Sequence, residues 1–420
     1  MEKLKIRTNN FVILLIIFIL MRPTFAFFSA TLGRLSDLVA LILSILAISI
    51  MRKRIDTKLI KNIQFISYIF LLYLLIMNLS YFVNNYFLVL SFGDLSEYAR
   101  PFIWFCAFMV GYIFVINDYT FIKAIKTLSI IGFIHALIGV VEFILPHYGA
   151  IFYKIFSTSN LFYQHRAGGI VYTHTEYTVF SVTCALLSFY MYSITKKKYH
   201  VFFGLFTFIT SILSFSKAGF IFFALVGASS FIYMLNYQKK SYKILLLFVL
   251  APIIVYIAFL LYEYSSMLNA GYEALINYQT TSNLSISNRV DDIQGVFNVI
   301  SNGDYRIFIG STPYHINNKL SYIEISFFNI FFRFGIFGVV LYYLIIFIPF
   351  IIKKNKTDIL ESHIIFLLRL IAISLFIVDF TANVSETIKF SFLLFLLYGM
   401  TYRLAINKRS QVAQNTHANK

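Results

Sequence analysis

The stretch IQFISYIFLLYLLIMNLSYFV, residues 63–83, decides the fold, because it contains no charged residue. A helix of about 20 apolar residues spans the roughly 30 Å hydrocarbon core of a bilayer. The whole 420-residue chain has 59% hydrophobic and only 13% charged residues, so lipid must solvate much of its surface. The run is continuous rather than alternating, which indicates a membrane helix and not a strand of a barrel.

Eleven further stretches share this character, and together they predict an all-α polytopic membrane protein of about twelve transmembrane helices, forming one domain over residues 1–420. The predicted spans are residues 11–28, 35–51, 63–83, 101–117, 125–145, 177–194, 201–215, 218–236, 244–262, 322–351, 364–381 and 388–404. The first span also resembles a signal peptide, since charged residues precede it and small residues follow it. We expect it to be retained, because so many spans come after it.

Membrane topology explains the net charge of +17. Of the 35 Lys and Arg residues, 23 fall at the two ends of the chain and in alternate short loops, which carry a net charge of +18, while the rest of the chain sums to −1. Basic loops stay in the cytoplasm, so both termini are predicted to be cytoplasmic, with the protein in a bacterial inner membrane. Because the basic residues do not cluster on one water-facing surface, no nucleic-acid partner is predicted.

The long loops lie on the opposite, predicted periplasmic side, at residues 84–100, 146–176 and, just before the tenth span, 263–321. Loops of such length in a compact protein are usually functional. Twelve basic residues remain on or near this side. Those at span ends are interpreted as snorkelling to lipid headgroups, and they are Arg34, Lys154, Lys319, Arg369 and Lys389.

Three of the other cations are candidates for binding an anion. Arg166 precedes Gly168 and Gly169, where a bidentate guanidinium beside closely approaching backbone suits a phosphate. Arg289 opens an amphipathic stretch, and a helix N-terminus favours anions, although the acids of the same turn could pair with Arg289 instead. Lys217 is the sole charge between spans seven and eight. It points either into a cavity or to the headgroups.

The long loop and the tenth span add further candidates. His315 is the only histidine of the loop, and an imidazole acts as an acid or base near neutral pH. Glu324 is an ionisable group entering the membrane, which suggests a functional role, and Arg333 is a possible partner for it. Arg100 and Arg306 are additional candidates for substrate contact.

Taken in order, these features resemble the O-antigen polymerase and O-antigen ligase superfamily. The resemblance covers most of the chain and depends on the order of the motifs, since no single motif is specific. Two departures are Lys217, where relatives carry arginine, and the loosened spacing of His315 and Asn317, which favours the polymerase branch. The motifs are Arg100-Pro101, Arg166 to Gly169, Ser216-Lys217-Ala218-Gly219, and Arg289 to Gly338 with Phe334-Gly335-Ile336-Phe337-Gly338.

The resemblance implies a metal-independent glycosyltransferase without a cofactor, which joins oligosaccharides carried by undecaprenyl diphosphate on the periplasmic face. Arg166, Arg289 and Lys217 would then bind the diphosphate, His315 the acceptor hydroxyl, and Glu324 a sugar. The implied partners are the lipid-linked oligosaccharide, membrane lipid and a polysaccharide chain-length regulator. The chemistry is consistent with the residues, because cations stabilise a diphosphate leaving group.

Two other functions compete with polymerisation. A ligase would use the same donor but transfer the finished glycan to lipid A-core, and the sequence separates it poorly from a polymerase. A flippase for lipid-linked oligosaccharides would also have about twelve spans. Transporters usually show short loops and recognisable halves, whereas this chain has a predicted loop of nearly 60 residues and no visible repeat.

Overall fold

A computed structural model describes residues 2–24, 30–83, 92–156, 167–171, 173–214, 216–228, 294–296, 306–310, 325–353, 359–380, 382 and 387–418. Regular structure within these ranges is helical, without a strand. The α-helices are α1 (Glu2–Met21), α2 (Ala30–Ile50), α3 (Thr57–Val83), α4 (Phe92–Phe114), α5 (Asp118–Ile144), α6 (Pro146–Phe156), α7 (His174–Thr195), α8 (Lys198–Thr210), α9 (Lys217–Phe222), α10 (Arg306–Ile309), α11 (Ser326–Ile346), α12 (Ile348–Ile351), α13 (Ile359–Val378) and α14 (Ile388–Ala418).

Six of these helices are long and apolar enough to cross a membrane, so the chain is a multi-pass, all-helical membrane protein over its described part. The six candidate spans lie in α3, α5, α7, α11, α13 and α14. Shorter apolar segments occur in α1, α2, α4 and α9. The number twelve stays a prediction, because the ninth predicted span, 244–262, lies outside the described residues.

The predicted fourth span, 101–117, overlaps an apolar segment at Ala99–Phe114, but the helix that contains it starts before the span. Helix α4 begins at Phe92, so that Arg100 and Pro101 lie inside it rather than at its first turn. Residues 94–100 carry charges and were therefore predicted as loop. A membrane helix tolerates such residues where it extends past the hydrocarbon, since water or headgroups solvate them there.

The C-terminal span α14 is the centre of the bundle, and it packs most extensively against α4. Its residues 390–398 are almost all fully buried. The two helices approach closely at Gly111 and Gly399, where an added Cβ would meet backbone carbonyl oxygens of the other helix. Small residues let membrane helices pack backbone against backbone.

The predicted loops 146–176 and 263–321 each contain a helix. Helix α6 occupies the start of the predicted loop 146–176, and the short helix α10 lies in the predicted loop 263–321. Of the predicted amphipathic helix that starts near Arg289, only residues 294–296 are described, and they are helical. The remainder of that loop lies outside the described residues.

The predicted tenth span, 322–351, is broken rather than continuous. Gly335 interrupts α11 with φ +62° and ψ −166°, a combination that is essentially confined to glycine. Helix α10 fits against this break, and Gly310, with φ +81°, follows it. The Gly335 Cα faces the Phe308 carbonyl, while the Gly310 Cα faces the Arg333 carbonyl. Two glycines therefore let a loop helix contact the backbone of a span.

Candidate functional site

The structure describes only part of the predicted site. Four predicted side chains lie outside the described residues, and they are Arg166, Arg289, His315 and Glu324. Lys217 and Arg306 are the first residues of α9 and α10, and the structure describes their backbone alone. Arg100 is partly buried in α4. The predicted roles of these residues therefore stay predictions.

The segment of residues 167–171, directly after Arg166, is non-helical and is held by side chains. The backbone N–H groups of Gly168 and Gly169 both donate to one carboxylate oxygen of Glu142, Oε2, at 2.6 and 2.7 Å. Glu142 lies in the last turn of α5 and is fully buried. These N–H groups are therefore committed to Glu142, which argues against the prediction that the backbone of the two glycines approaches a phosphate.

The backbone of Ile170 is held by α5 and by one further helix, α14. Its N–H donates to Nδ1 of His135 at 3.0 Å. Nδ1 is thus unprotonated, so the imidazole carries its proton on Nε2, which lies 3.4 Å from the Tyr177 carbonyl oxygen. The ammonium of Lys389, at the start of α14, donates to the Ile170 carbonyl oxygen. Non-helical backbone at membrane depth requires such internal partners.

The start of the segment contacts the short connection between α8 and α9. The Ala167 N–H donates to the Leu213 carbonyl at 2.9 Å, and His174 lies 2.9 Å from the Ala167 carbonyl through Nδ1. Ser216 caps α9 by accepting the Gly219 N–H at 3.2 Å. The residue that follows Arg166 is therefore bonded to the connection that leads into Lys217.

Several charged side chains near Lys389 are buried. Lys389 is fully buried, so the prediction that it snorkels to headgroups is wrong. Glu176, also fully buried, accepts the Phe390 N–H at 3.0 Å in the first turn of α14. Arg22 and Asp37 form an ion pair of 3.4 Å. The charges of Arg22, Asp37 and Glu176 all act on Lys389, which indicates one buried cluster with compensating signs.

The buried guanidinium of Arg22 also explains how the chain leaves α1. It donates to the carbonyl of Ile19 at 2.6 Å and to both the carbonyl and hydroxyl oxygens of Ser36 at 3.0 Å. A buried charge requires a partner and satisfied hydrogen bonds. These bonds link the end of α1 to α2, which places Arg22 inside the protein.

Sequence analysis missed His135, Glu142, Glu176 and the role of Lys389, although a signal for them exists. Each is an ionisable residue within or at the end of a predicted span, and such residues usually face the protein interior and serve function or structure. The search for cations in loops passed over them. Their partners are backbone groups from distant parts of the chain, in the 167–171 segment for His135, Glu142 and Lys389 and in α14 for Glu176, which no local pattern reveals.

The contact between α10 and α11 forms a second polar region. Ser80 of α3 donates its hydroxyl to the Arg333 carbonyl at 2.7 Å, next to the break at Gly335. The buried Arg333 guanidinium lies 4.9 Å from the ring centroid of Phe334. The proposed partner of Arg333, Glu324, lies outside the described residues.

A pair of alanine substitutions distinguishes the structural role of the two glycines from phosphate contact. Gly169 has φ +59°, and an added Cβ would overlap the His135 ring, so we expect Gly169→Ala to destabilise the protein by about 1–3 kcal/mol from backbone strain alone. At Gly168 the added Cβ would make ordinary van der Waals contacts, with the Tyr153 ring at 3.4 Å and with Glu142 Oε2 at 3.7 Å, and we expect little change. Melting temperatures of the purified variants check this. Equal effects at both positions would contradict it.

Among the residues that the structure describes, no three His, Cys, Asp or Glu side chains are grouped so that they could hold a metal ion. Glu142, His135 and Lys389 are instead bonded to the 167–171 backbone, so the arrangement fixes a peptide segment that directly follows Arg166 in the sequence. No protein-family model matches the sequence, and no curated protein is significantly similar to it.

Proposed function

We propose that the protein is a membrane-embedded glycosyltransferase of the O-antigen polymerase type. It joins oligosaccharide repeat units carried by undecaprenyl diphosphate, on the periplasmic face of a bacterial inner membrane. Both termini lie in the cytoplasm in this proposal. Its partners are the lipid-linked oligosaccharide, the surrounding membrane lipid and a polysaccharide chain-length regulator.

One observation carries the proposal, namely the hydrogen bond from the Ala167 N–H to the Leu213 carbonyl. It joins the two chain segments that carry predicted diphosphate ligands, because Arg166 immediately precedes Ala167 and Lys217 follows four residues after Leu213. A site for a diphosphate needs cations from separate parts of the chain held at a fixed separation, since charge stabilisation depends on preorganised groups. A side-chain-bonded, non-helical segment supplies such a fixed support.

The contact of α10 with α11 supports the same proposal. The resemblance places Arg306 and the Gly335 to Gly338 motif in one functional stretch, and the structure packs α10 onto the break at Gly335. The glycines of this motif thus have a definite structural role. In the proposed reaction, cations offset the negative charge that develops on the diphosphate, and His315 accepts or orients the proton of the acceptor hydroxyl.

Deletion of the gene in its native host, followed by electrophoresis of the lipopolysaccharide, tests the proposal. We expect the deletion strain to make lipopolysaccharide capped with a single repeat unit, and the wild-type gene to restore the full ladder of bands. The variants Arg166→Ala, Arg289→Ala and His315→Ala should each fail to restore it, because loss of one such group typically lowers the rate by about 10²–10³-fold. Lys126→Ala, at an exposed lysine of α5, is the matched control and should restore the ladder.

Other outcomes identify the competing functions. Loss of every capped form, with uncapped lipid A-core remaining, would favour a ligase. Lipid-linked repeat units trapped on the cytoplasmic face would favour a flippase. A full ladder from alanine variants that are present in the membrane at normal levels would refute the assignment of these residues.

A further inference from the structure

Helix α6 turns sharply away from the end of α5. The Gly149 N–H donates to the Leu145 carbonyl at 2.8 Å, and Gly149 packs so closely on the backbone of Glu142 that a Cβ would not fit. Helix α6 thus folds back onto the last turn of the span instead of extending from it. Its position is fixed by the same turn of α5 that holds the 167–171 segment.

The two faces of α6 differ in exposure. On one face Gly149 and Tyr153 are buried, and the Tyr153 ring stacks on His174 with a centroid distance of 5.7 Å. On the other side Tyr148 and Ile151 are 59% and 56% exposed, and the polar side chains of His147 and Lys154 are exposed beside them. Tyr148 and Ile151 are three positions apart, so they lie side by side on the helix surface. The exposed side of α6 therefore combines apolar surface at Tyr148 and Ile151 with polar groups at His147 and Lys154, the mixture found on helices that lie between lipid and water.

This exposed face continues a lipid-facing stripe of α5. Ile130, Leu137 and Ile144 recur every seven residues along α5, and each is more than a third exposed. Residues at that spacing lie on one side of a helix, and α5 is long and apolar enough to span the membrane. Apolar side chains that are exposed on the surface of a membrane-spanning helix are in contact with lipid. The stripe on α5 reaches Ile144. Leu145, which is 49% exposed, connects it to the exposed side of α6.

We propose that α6 lies in the interface between lipid and water on the predicted periplasmic side, with Tyr148 and Ile151 against phospholipid of that leaflet. Amphipathic helices bind in this plane with their apolar face towards the acyl chains. Tyrosine suits the position, because its ring is apolar and its hydroxyl stays hydrated among the headgroups. This part of the predicted loop 146–176 is then a membrane contact.

The C-terminal end of α6 contacts the region around Arg22 and Lys389, so the depth of α6 in the membrane also fixes the depth of these residues. The Ile155 carbonyl accepts the N–H of Thr24, two residues after Arg22, at 2.9 Å. The Phe156 ring centroid lies 5.0 Å from the Lys389 ammonium. The interfacial helix thus holds the 167–171 segment near headgroup depth. That depth suits the diphosphate of a lipid-linked substrate. This consequence rests on the proposed function, but the proposed contact of α6 with lipid is independent of it.

Spin-label accessibility of the full chain tests the lipid contact. Single cysteines replace Tyr148 or Ile151 in a background that lacks the two native cysteines, and each labelled protein is placed in vesicles of phosphatidylethanolamine and phosphatidylglycerol. We measure nitroxide collisions with oxygen, which concentrates in lipid, and with nickel-EDDA, which stays in water. Both labels should collide several-fold more with oxygen than with nickel-EDDA.

Two control positions calibrate the measurement. Leu71→Cys lies on α3, at a residue that is 60% exposed on a candidate span, and defines the response of lipid. Lys53→Cys lies in the exposed turn between α2 and α3 and defines the response of water. Labels on α6 that respond like the Lys53 label would overturn the proposal, and so would labels that neither reagent reaches, because a second protein would then cover the face.

Discussion

The Lys389→Met variant should be destabilised by about 1–3 kcal/mol, the usual cost of leaving a buried hydrogen-bond acceptor without its donor. Methionine keeps the length and apolar body of the side chain but removes its charge. The buried carboxylates of Glu176 and Asp37 would lose a compensating cation, and the Ile170 carbonyl would lose its donor. A lower melting temperature of the protein purified in nanodiscs measures the effect.

Two further variants make this test specific. The double variant Lys389→Met/Glu176→Gln should regain part of the loss, because it also removes a buried negative charge. Lys154→Met is the matched control, since the sequence favours snorkelling for both lysines but the structure leaves Lys154 exposed. If Lys389→Met melted like the wild type, Lys389 would not be the buried, hydrogen-bonded group described above.

The Gly335→Ala variant should accumulate poorly as folded protein. Its backbone would have to keep φ +62° and ψ −166°, which costs a non-glycine residue on the order of 1–3 kcal/mol. The new Cβ would also overlap the Phe308 carbonyl and the Ile309 nitrogen, and backbone atoms cannot move aside as a flexible side chain can. Helix α10 would have to leave its contact with α11.

Fluorescence-detected size exclusion of membrane extracts measures how much folded protein remains. Gly310→Ala should behave similarly, because its Cβ would meet the backbone of Arg333 from the opposite side. Ile336→Ala is the control, since that side chain is 44% exposed beside the break and should matter little. Normal amounts of folded Gly335→Ala would show that the break in α11 does not depend on glycine.

The membrane helices could be predicted from the sequence because each depends on a local run of apolar residues. The stretch 63–83 and most of α5 needed no information from elsewhere in the chain. The boundaries were less predictable, as the early start of α4 at Phe92 shows, because charged residues fit a helix that extends past the lipid. The break at Gly335 could not be foreseen, since it depends on the docking of α10, from the preceding loop, onto α11.

The candidate site was predictable only in outline. The sequence drew attention to the Arg166 to Gly169 motif, and the structure shows that its glycines serve tight packing and hydrogen bonding to Glu142. Lys389 illustrates the general difficulty. In the sequence, a lysine that reaches lipid headgroups cannot be distinguished from one that reaches a buried carbonyl when both lie at the end of a span. For Lys389 the outcome depends on the fold of a segment more than two hundred residues away.

The hydrogen bonds around the 167–171 segment also determine when, during synthesis, this part of the protein can reach its folded state. Ile170 and Lys389 are 219 residues apart, and Glu176 and Phe390 are 214 apart. Chains emerge from the ribosome N-terminus first, so α5, α6 and α7 enter the membrane long before their last partner has been synthesised. Insertion of α14 supplies the missing hydrogen-bond partners of the buried Ile170 carbonyl and the Glu176 carboxylate. Folding around the 167–171 segment is therefore complete only after α14 has been inserted, and a nascent chain that stops before α14 presents unpaired charges to cellular quality control.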